Sequence, residues 1–178
     1  MAATVQEIKQ MLLQANDESF TVLERSLSAD TRKGVRIAVE STRRRLEAQR
    51  AEIARLDGLY SFQESIAKEH GGRVVLGLDE VGRGSIAGPL AVGGVVLPDE
   101  PHIQGLNDSK QLSPAKREEI ADQVRQTAIA WTVQYVEPDV IDSIGMTASL
   151  RRAFSSAIAQ IEKAGIEVDV VLLDGNPM

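Results

Sequence analysis

Two hydrophobic periodicities divide this chain. Up to Gly72 apolar residues recur at helical spacing. "TVQEIKQMLLQA" places Val5, Ile8 and Leu12 on one face behind Thr4, with Glu7 three residues on as in a capping box. "RKGVRIAVESTRRRLEAQRAEIARLDGLYSFQESIAKEHGG" continues with Val35, Val39, Leu46, Ile53 and Leu56 as apolar positions, and Gly71-Gly72 closes the tract. From Arg73 the apolar residues instead form short β-rich runs: "VVLGLD", "LAVGGVVLP", "IAWTVQYV" and "VDVVLLDG". Pro98 halts the second, since it cannot donate to a ladder. Helical patterns separate the later runs. "SPAKREEIADQVRQTA" has Ser113 as cap, Pro114 at the first helical position and Ile120 and Val124 facing inward, and "TASLRRAFSSAIAQIEKAG" stops at Gly165. The order strand, strand, helix, strand, helix, strand predicts a mixed α/β layer over residues 73–178, preceded by a helical extension over 1–70.

Composition agrees with one core and a small helical appendage: 178 residues, 43% hydrophobic and 26% charged. No apolar run approaches the roughly 20 residues that span a bilayer, and the N-terminus lacks a basic region followed by an apolar one. The expectation is a cytoplasmic protein with no membrane partner. With no cysteine, a metal would be held mainly by oxygen. His70 and His102 lack zinc spacing and read as a linker and a loop residue. Residues 1–72 balance in charge, so the net charge of -6 falls entirely on residues 73–178. Such a chain grips nucleic acid only if cations offset its carboxylates and a local patch supplies the contacts.

The candidate chemistry lies at strand ends. Asp79 and Glu80 follow "VVLGL" and Asp174 follows "VVLL", where open α/β sheets place ligands. If the two strands are neighbours, Asp79 and Asp174 approach, and a hard divalent cation, Mg²⁺ or Mn²⁺, would relieve their repulsion. The alternative is a polar strand end before a turn. Asp79 and Glu80 face one ion together only if the strand stops at this pair and the glycine turn bends the backbone. In "VGRGSIAG", Gly82 and Gly84 flank Arg83; glycine lets main-chain N–H groups approach a phosphate or sugar hydroxyl. Arg83 either pairs with phosphate or braces the nearby carboxylates. The spacing fits neither a Walker loop nor a dinucleotide fingerprint. A second loop, "GLNDSKQLSP", offers Asn107, Ser109 and Lys110, suited to phosphate or to a solvated turn. Arg43, Arg44, Arg45, Arg50 and Arg55, interspersed with glutamates, read as a solvated helix face before a phosphate site, and Arg151 and Arg152 as surface residues.

"GLDEVGRGSIAGPLAVGGVVLP", "GLNDSKQLS" and "VLLDGNPM", in that order, resemble the bacterial ribonuclease HII family over residues 73–178. The first 70 residues resemble, more loosely, the helical extension of some members. The resemblance implies a ribonuclease H-like mixed β-sheet flanked by helices. It implies hydrolysis of the RNA strand of RNA–DNA hybrids, and incision 5′ of a ribonucleotide embedded in duplex DNA. The positions of Asp79, Glu80 and Asp174 would hold two divalent cations, Mg²⁺ or Mn²⁺, as catalytic ligands, one activating water and the other stabilising the departing oxygen. Gly82, Arg83 and Gly84 would read the ribose 2′-hydroxyl, and Asn107, Ser109 and Lys110 would lie beside the substrate backbone.

Departures from the family set further expectations. The resemblance implies a fourth aspartate and a stacking tyrosine beyond "DGN", yet Met178 follows Asp174 by four residues, and neither Tyr60 nor Tyr135 matches that tyrosine. The expectation is a truncated chain that cleaves weakly or not at all. Ser85 stands where the family has proline, and Gly145 where asparagine is usual. Two rival readings are a non-catalytic nucleic-acid-binding or scaffold module and a phosphohydrolase of small nucleotides.

Overall fold

The computed structural model describes residues 3–85 and 87–173. Backbone packing groups them into two compact units, residues 1–55 and 56–178.

The first unit is helical. Helix α1 (Val5–Gln14) opens at Thr4, whose side chain accepts the Glu7 N–H while the Glu7 carboxylate accepts the Thr4 N–H, the reciprocal arrangement expected from the sequence. Helix α2 (Asp17–Ser26) begins with the same exchange between Asn16 and Ser19. Ile8, Leu12 and Ala15 bury against Phe20 and against Val35 and Leu46 of α3 (Lys33–Glu69). Ile53, one of the apolar positions of this tract, is 54% exposed. Apolar spacing along so long a helix does not say which turns find a partner.

The arginine run is structural. Arg43 pairs with Glu24 at 2.6 Å and with Glu40, Arg44 with Glu40 at 3.0 Å, Arg50 with Asp17 at 3.4 Å and Arg55 with Glu52 at 2.7 Å. Arg45 donates to the Ala15 carbonyl at 2.8 Å and to the Leu12 carbonyl at 3.4 Å, adding to the Ala15 N–H that the Leu12 carbonyl already accepts at the end of α1.

The second unit holds the sheet. Strands β1 (Val75–Val81), β2 (Leu90–Val96), β3 (Ala130–Val136) and β4 (Val170–Leu173) lie in the order β3-β2-β1-β4. β1 pairs antiparallel with β2, β2 antiparallel with β3, and β1 parallel with β4. Helix α4 (Pro114–Thr127) joins β2 to β3 and is capped by Ser113. Helices α5 (Pro138–Ile144) and α6 (Met146–Lys163) join β3 to β4. The short α5 went unread in the sequence, and Gly145 at φ 81 separates it from α6 without a side-chain cap.

One sheet face is sealed. Leu76 and Leu78 of β1, Leu90, Val92 and Val96 of β2 and Val136 of β3 pack with Leu150, Ala153, Phe154, Ala157 and Ile161 of α6. The other face carries an open groove of about 740 Å³, lined by Gly77, Asp79, Val95, Trp131, Val133 and Leu173 among others. The last turns of α3 belong to this unit. Tyr60 stacks on His102 with ring centroids 3.9 Å apart, and its hydroxyl accepts the Ile103 N–H at 3.2 Å. His102, read from sequence as a loop residue, thus sits against a helix, with Nδ1 3.2 Å from Asp57 and Nε2 3.5 Å from Glu100.

Candidate functional site

The acids at the end of β1 sit differently from the sequence expectation. β1 does not stop at Asp79 and Glu80: the ladder continues with Asp79 opposite Gly93, Glu80 opposite Val92 and Val81 opposite Ala91. Alternation along a paired strand therefore sends the two carboxylates to opposite faces. Asp79 is exposed and lines the groove, its Oδ1 accepting the Glu80 N–H at 2.8 Å. Glu80 points to the face sealed by α6, its side chain only 17% exposed and its Oε1 3.5 Å from Arg83 Nη1. The pairing partner decides this outcome: β2 supplies ladder partners past the acidic pair, which the residues of β1 alone cannot show.

Asp174 lies outside the described residues. β1 and β4 are neighbours, adjacent and parallel, with Leu78 opposite Leu173. Among the described residues no three acidic or histidine side chains converge on a point that could hold a metal ion. The two described acids therefore do not by themselves fit Mg²⁺ or Mn²⁺.

The glycine loop is built as a tight turn. The Ser85 N–H donates to the Gly82 carbonyl at 3.1 Å, closing a turn over Arg83 and Gly84. Gly82 has φ 100, and a Cβ there would meet the Pro89 carbonyl oxygen at 2.6 Å, so both backbone and space demand glycine. A Cβ on Gly84 would meet nothing within 4 Å. Arg83 is exposed and braces Glu80, one of the two roles left open by sequence.

Asn107, Ser109 and Lys110 are exposed on the turn before α4. Asn107 accepts the Asp108 N–H at 2.8 Å, and Asp108 accepts the Lys110 N–H at 2.9 Å, capping the 3-10 turn Ser109–Gln111. Arg117 of α4 donates to the Ser109 and Leu112 carbonyls. Sequence reading missed Arg117; the only local signal was a basic residue four positions after the Ser113 cap. It also missed Asp169, whose Oδ2 accepts the N–H groups of Arg73 at 2.7 Å and Val74 at 2.9 Å. These bonds hold its carboxyl below the ordinary range, the Val74 N–H contributing most and the Arg73 N–H next. Arg151 and Arg152 are exposed on α6, as expected.

A mixed four-stranded sheet sealed by α6 and preceded by helices defines a ribonuclease H-like α/β protein. Family comparison narrows the class. The family model described as Ribonuclease HII matches residues 76–178, and the one described as Ribonuclease HII N-terminal domain matches residues 4–67. The chain belongs to the ribonuclease HII family. It is 33% identical over 178 residues to the ribonuclease HII of Listeria monocytogenes serovar 1/2a, covering 100% of this chain and 66% of that protein. It is 34% identical over 174 residues to that of Halalkalibacterium halodurans, covering 96% and 64%. The chain thus spans slightly under two thirds of the length of these curated relatives. Among solved structures it is similar to a chain of the PCNA:RNase HII complex from Archaeoglobus fulgidus, with 28% identity and a TM-score of 0.49, covering 58% of this chain and 50% of that one.

Proposed function

We propose that these 178 residues engage RNA–DNA hybrids and ribonucleotide-containing duplex DNA, and that by themselves they bind such duplexes without efficient hydrolysis. Residues 73–178 make the contacts and residues 1–70 form an extension. Gly82, Arg83 and Gly84 approach the ribose, while Asn107, Ser109 and Lys110 meet the backbone. One observation carries the reading: both loops present donors to solvent on ordered turns, while Asp79 and Glu80 diverge to opposite sheet faces. Main-chain N–H groups of a glycine turn and a nearby lysine suit phosphate and the 2′-hydroxyl, the group that tells RNA from DNA.

A second reading follows from family membership and from the parallel register of β1 and β4. In it Asp79, Glu80 and Asp174 hold Mg²⁺ or Mn²⁺, and the chain hydrolyses the RNA strand or incises 5′ of an embedded ribonucleotide. The two readings separate in one experiment on the full 178-residue chain. Anisotropy of a labelled RNA–DNA hybrid is recorded in EDTA, with Asp79→Asn in parallel, and duplex DNA carrying one ribonucleotide is incubated with Mg²⁺ or Mn²⁺. Binding that survives EDTA and Asp79→Asn, with little or no incision, supports the first reading. Metal-dependent incision abolished by Asp79→Asn replaces it with the second. Binding displaced equally well by a free ribonucleotide points instead to a small-nucleotide phosphohydrolase.

A further inference from the structure

The turn between Asn107 and Ser113 has little apolar anchoring, with only Leu112 half-buried. Asn107, Asp108, Ser109 and Lys110 are all exposed, and the 3-10 turn Ser109–Gln111 contains no buried residue. A single 3-10 turn fixes several dihedrals for very few hydrogen bonds, so it does not persist on its own in water. Polar tethers hold its shape here. Asp108 accepts the Lys110 N–H through Oδ1 and the Gln111 N–H through its carbonyl, each at 2.9 Å.

The Leu112 N–H donates to the Ser109 carbonyl and the Asn107 amide to Gln111 Oε1, each at 3.3 Å, and a further tether comes from the next helix. A single Nη1 of Arg117 donates to the Ser109 carbonyl at 3.0 Å and to the Leu112 carbonyl at 3.3 Å. Ser109 begins the turn and Leu112 ends it, so one guanidinium closes both ends. Its mount is firm: α4 is capped by Ser113, has Pro114 in its first turn and buries Ile120. By contrast, neither the Lys110 ammonium nor the Ser109 hydroxyl has a protein partner among the described residues. The backbone is tied down and two donors are left outward, an arrangement that removes the ordering cost from a later contact with phosphate.

We propose that Arg117 is a positioning residue for nucleic-acid binding, holding the Ser109–Gln111 turn so that the Ser109 hydroxyl and Lys110 ammonium meet the same stretch of phosphate backbone. The inference rests on the reading that the chain binds RNA–DNA hybrid. It names a residue that acts through the turn rather than on the substrate.

The test is a double-mutant cycle on the full chain, read by anisotropy of a labelled RNA–DNA hybrid across a salt series. Loss of one charge-assisted contact is worth about tenfold in affinity, and both Arg117→Gln and Lys110→Ala are expected to show roughly that loss. Each single variant lowers the dependence of log affinity on log salt by about one phosphate. The double variant binds only slightly more weakly than Lys110→Ala alone and with the same salt slope, because in that background Arg117 has only the uncharged Ser109 contact left to position. Arg117→Lys, which keeps a cationic donor, recovers part of the affinity. Additive losses, with a salt slope lowered by about two phosphates, would mean that Arg117 contacts phosphate itself and would overturn the proposal.

Backbone ¹⁵N relaxation of Ser109, Lys110 and Gln111 in the free protein supplies the second readout. Arg117→Gln is expected to raise fast motion there, and Lys110→Ala to leave it unchanged. Unaltered relaxation in Arg117→Gln overturns the positioning role whatever binding does. Failure of the unaltered chain to bind hybrid overturns the functional reading and the substrate side of this inference, while relaxation still decides whether Arg117 holds the turn.

Discussion

The carboxylate of Asp169 reaches from the residue before β4 to the Val74 N–H at 2.9 Å, and with the same oxygen takes the Arg73 N–H at 2.7 Å. Two adjacent main-chain donors at the entry to β1 are thereby tied to the entry to β4. Gly72 makes room for the clasp, since a Cβ there would lie 2.5 Å from Asp169 Cβ. The folded-state pKa of Asp169 is lowered by these bonds. Its contribution to stability is therefore present above the unfolded value, about 3.9, and is lost as pH falls through the folded value. Urea midpoints of the wild type and Asp169→Ala should differ at pH 7 and converge below about pH 4. A gap that persists undiminished in acid would show that the clasp does not depend on the carboxylate charge.

Gly82 should be sensitive to a substitution that Gly84 tolerates. Gly82→Ala meets the Pro89 carbonyl oxygen and a φ of 100, and forcing a side chain into such a conformation costs about 1–2 kcal/mol before any clash is counted. Gly84→Ala places its methyl in open space, so its thermal midpoint should stay close to that of the wild type. Hybrid binding is the discriminating readout for Gly84. If the loop lies against a ribose, the methyl weakens binding while the fold is intact; unchanged affinity would remove Gly84 from the interface.

What the sequence showed and withheld follows from the range of each interaction. Thr4 with Glu7, and Ser113 with Pro114, are contacts within four residues, and both helix starts stand where the residues place them. The four strands were legible from β-branched runs bounded by Gly, Pro and charge. The end of β1 was not, because Val81 belongs to it only through its pairing with Ala91, ten residues away. The ladder running through Asp79–Gly93 and Glu80–Val92 to that last pair decided the candidate site, turning Asp79 and Glu80 from an expected joint ligand set into residues of opposite faces. The pairing of Arg43 with Glu24, and the clasp of Asp169 on Arg73, join residues 19 and 96 positions apart, beyond any local pattern.

The core between the sheet and α6 should be sensitive in both directions. Leu76 and Ala157 are each 0% exposed and belong to one cluster. Leu76→Ala leaves a cavity and should cost about 2–5 kcal/mol, whereas Ala157→Leu overfills the same interior and should cost about 1–3 kcal/mol. Ile53→Ala, at an exposed position of α3, should change stability by no more than about 0.5 kcal/mol. Urea titrations of the three variants check the ranking. A loss at Ile53 as large as that at Leu76 would mean that Ile53 is covered in solution.

Neutralising Glu80 should strengthen hybrid binding, and the effect should run through Arg83. Glu80 Oε1 lies 3.5 Å from Arg83 Nη1, so the carboxylate competes with phosphate for that guanidinium. The arginine side chain is 66% exposed, which limits the pair to the small energies of surface ion pairs. Glu80→Gln should therefore raise affinity for an RNA–DNA hybrid by no more than about fivefold, more at low salt than at high. In an Arg83→Ala background the same change should give a smaller gain, leaving only the general effect of removing one negative charge. Asp79→Asn, on the opposite face of β1, should show no such dependence on Arg83. If Glu80→Gln improves binding equally with and without Arg83, the arginine is not the group that the carboxylate restrains, and its place in the interface falls.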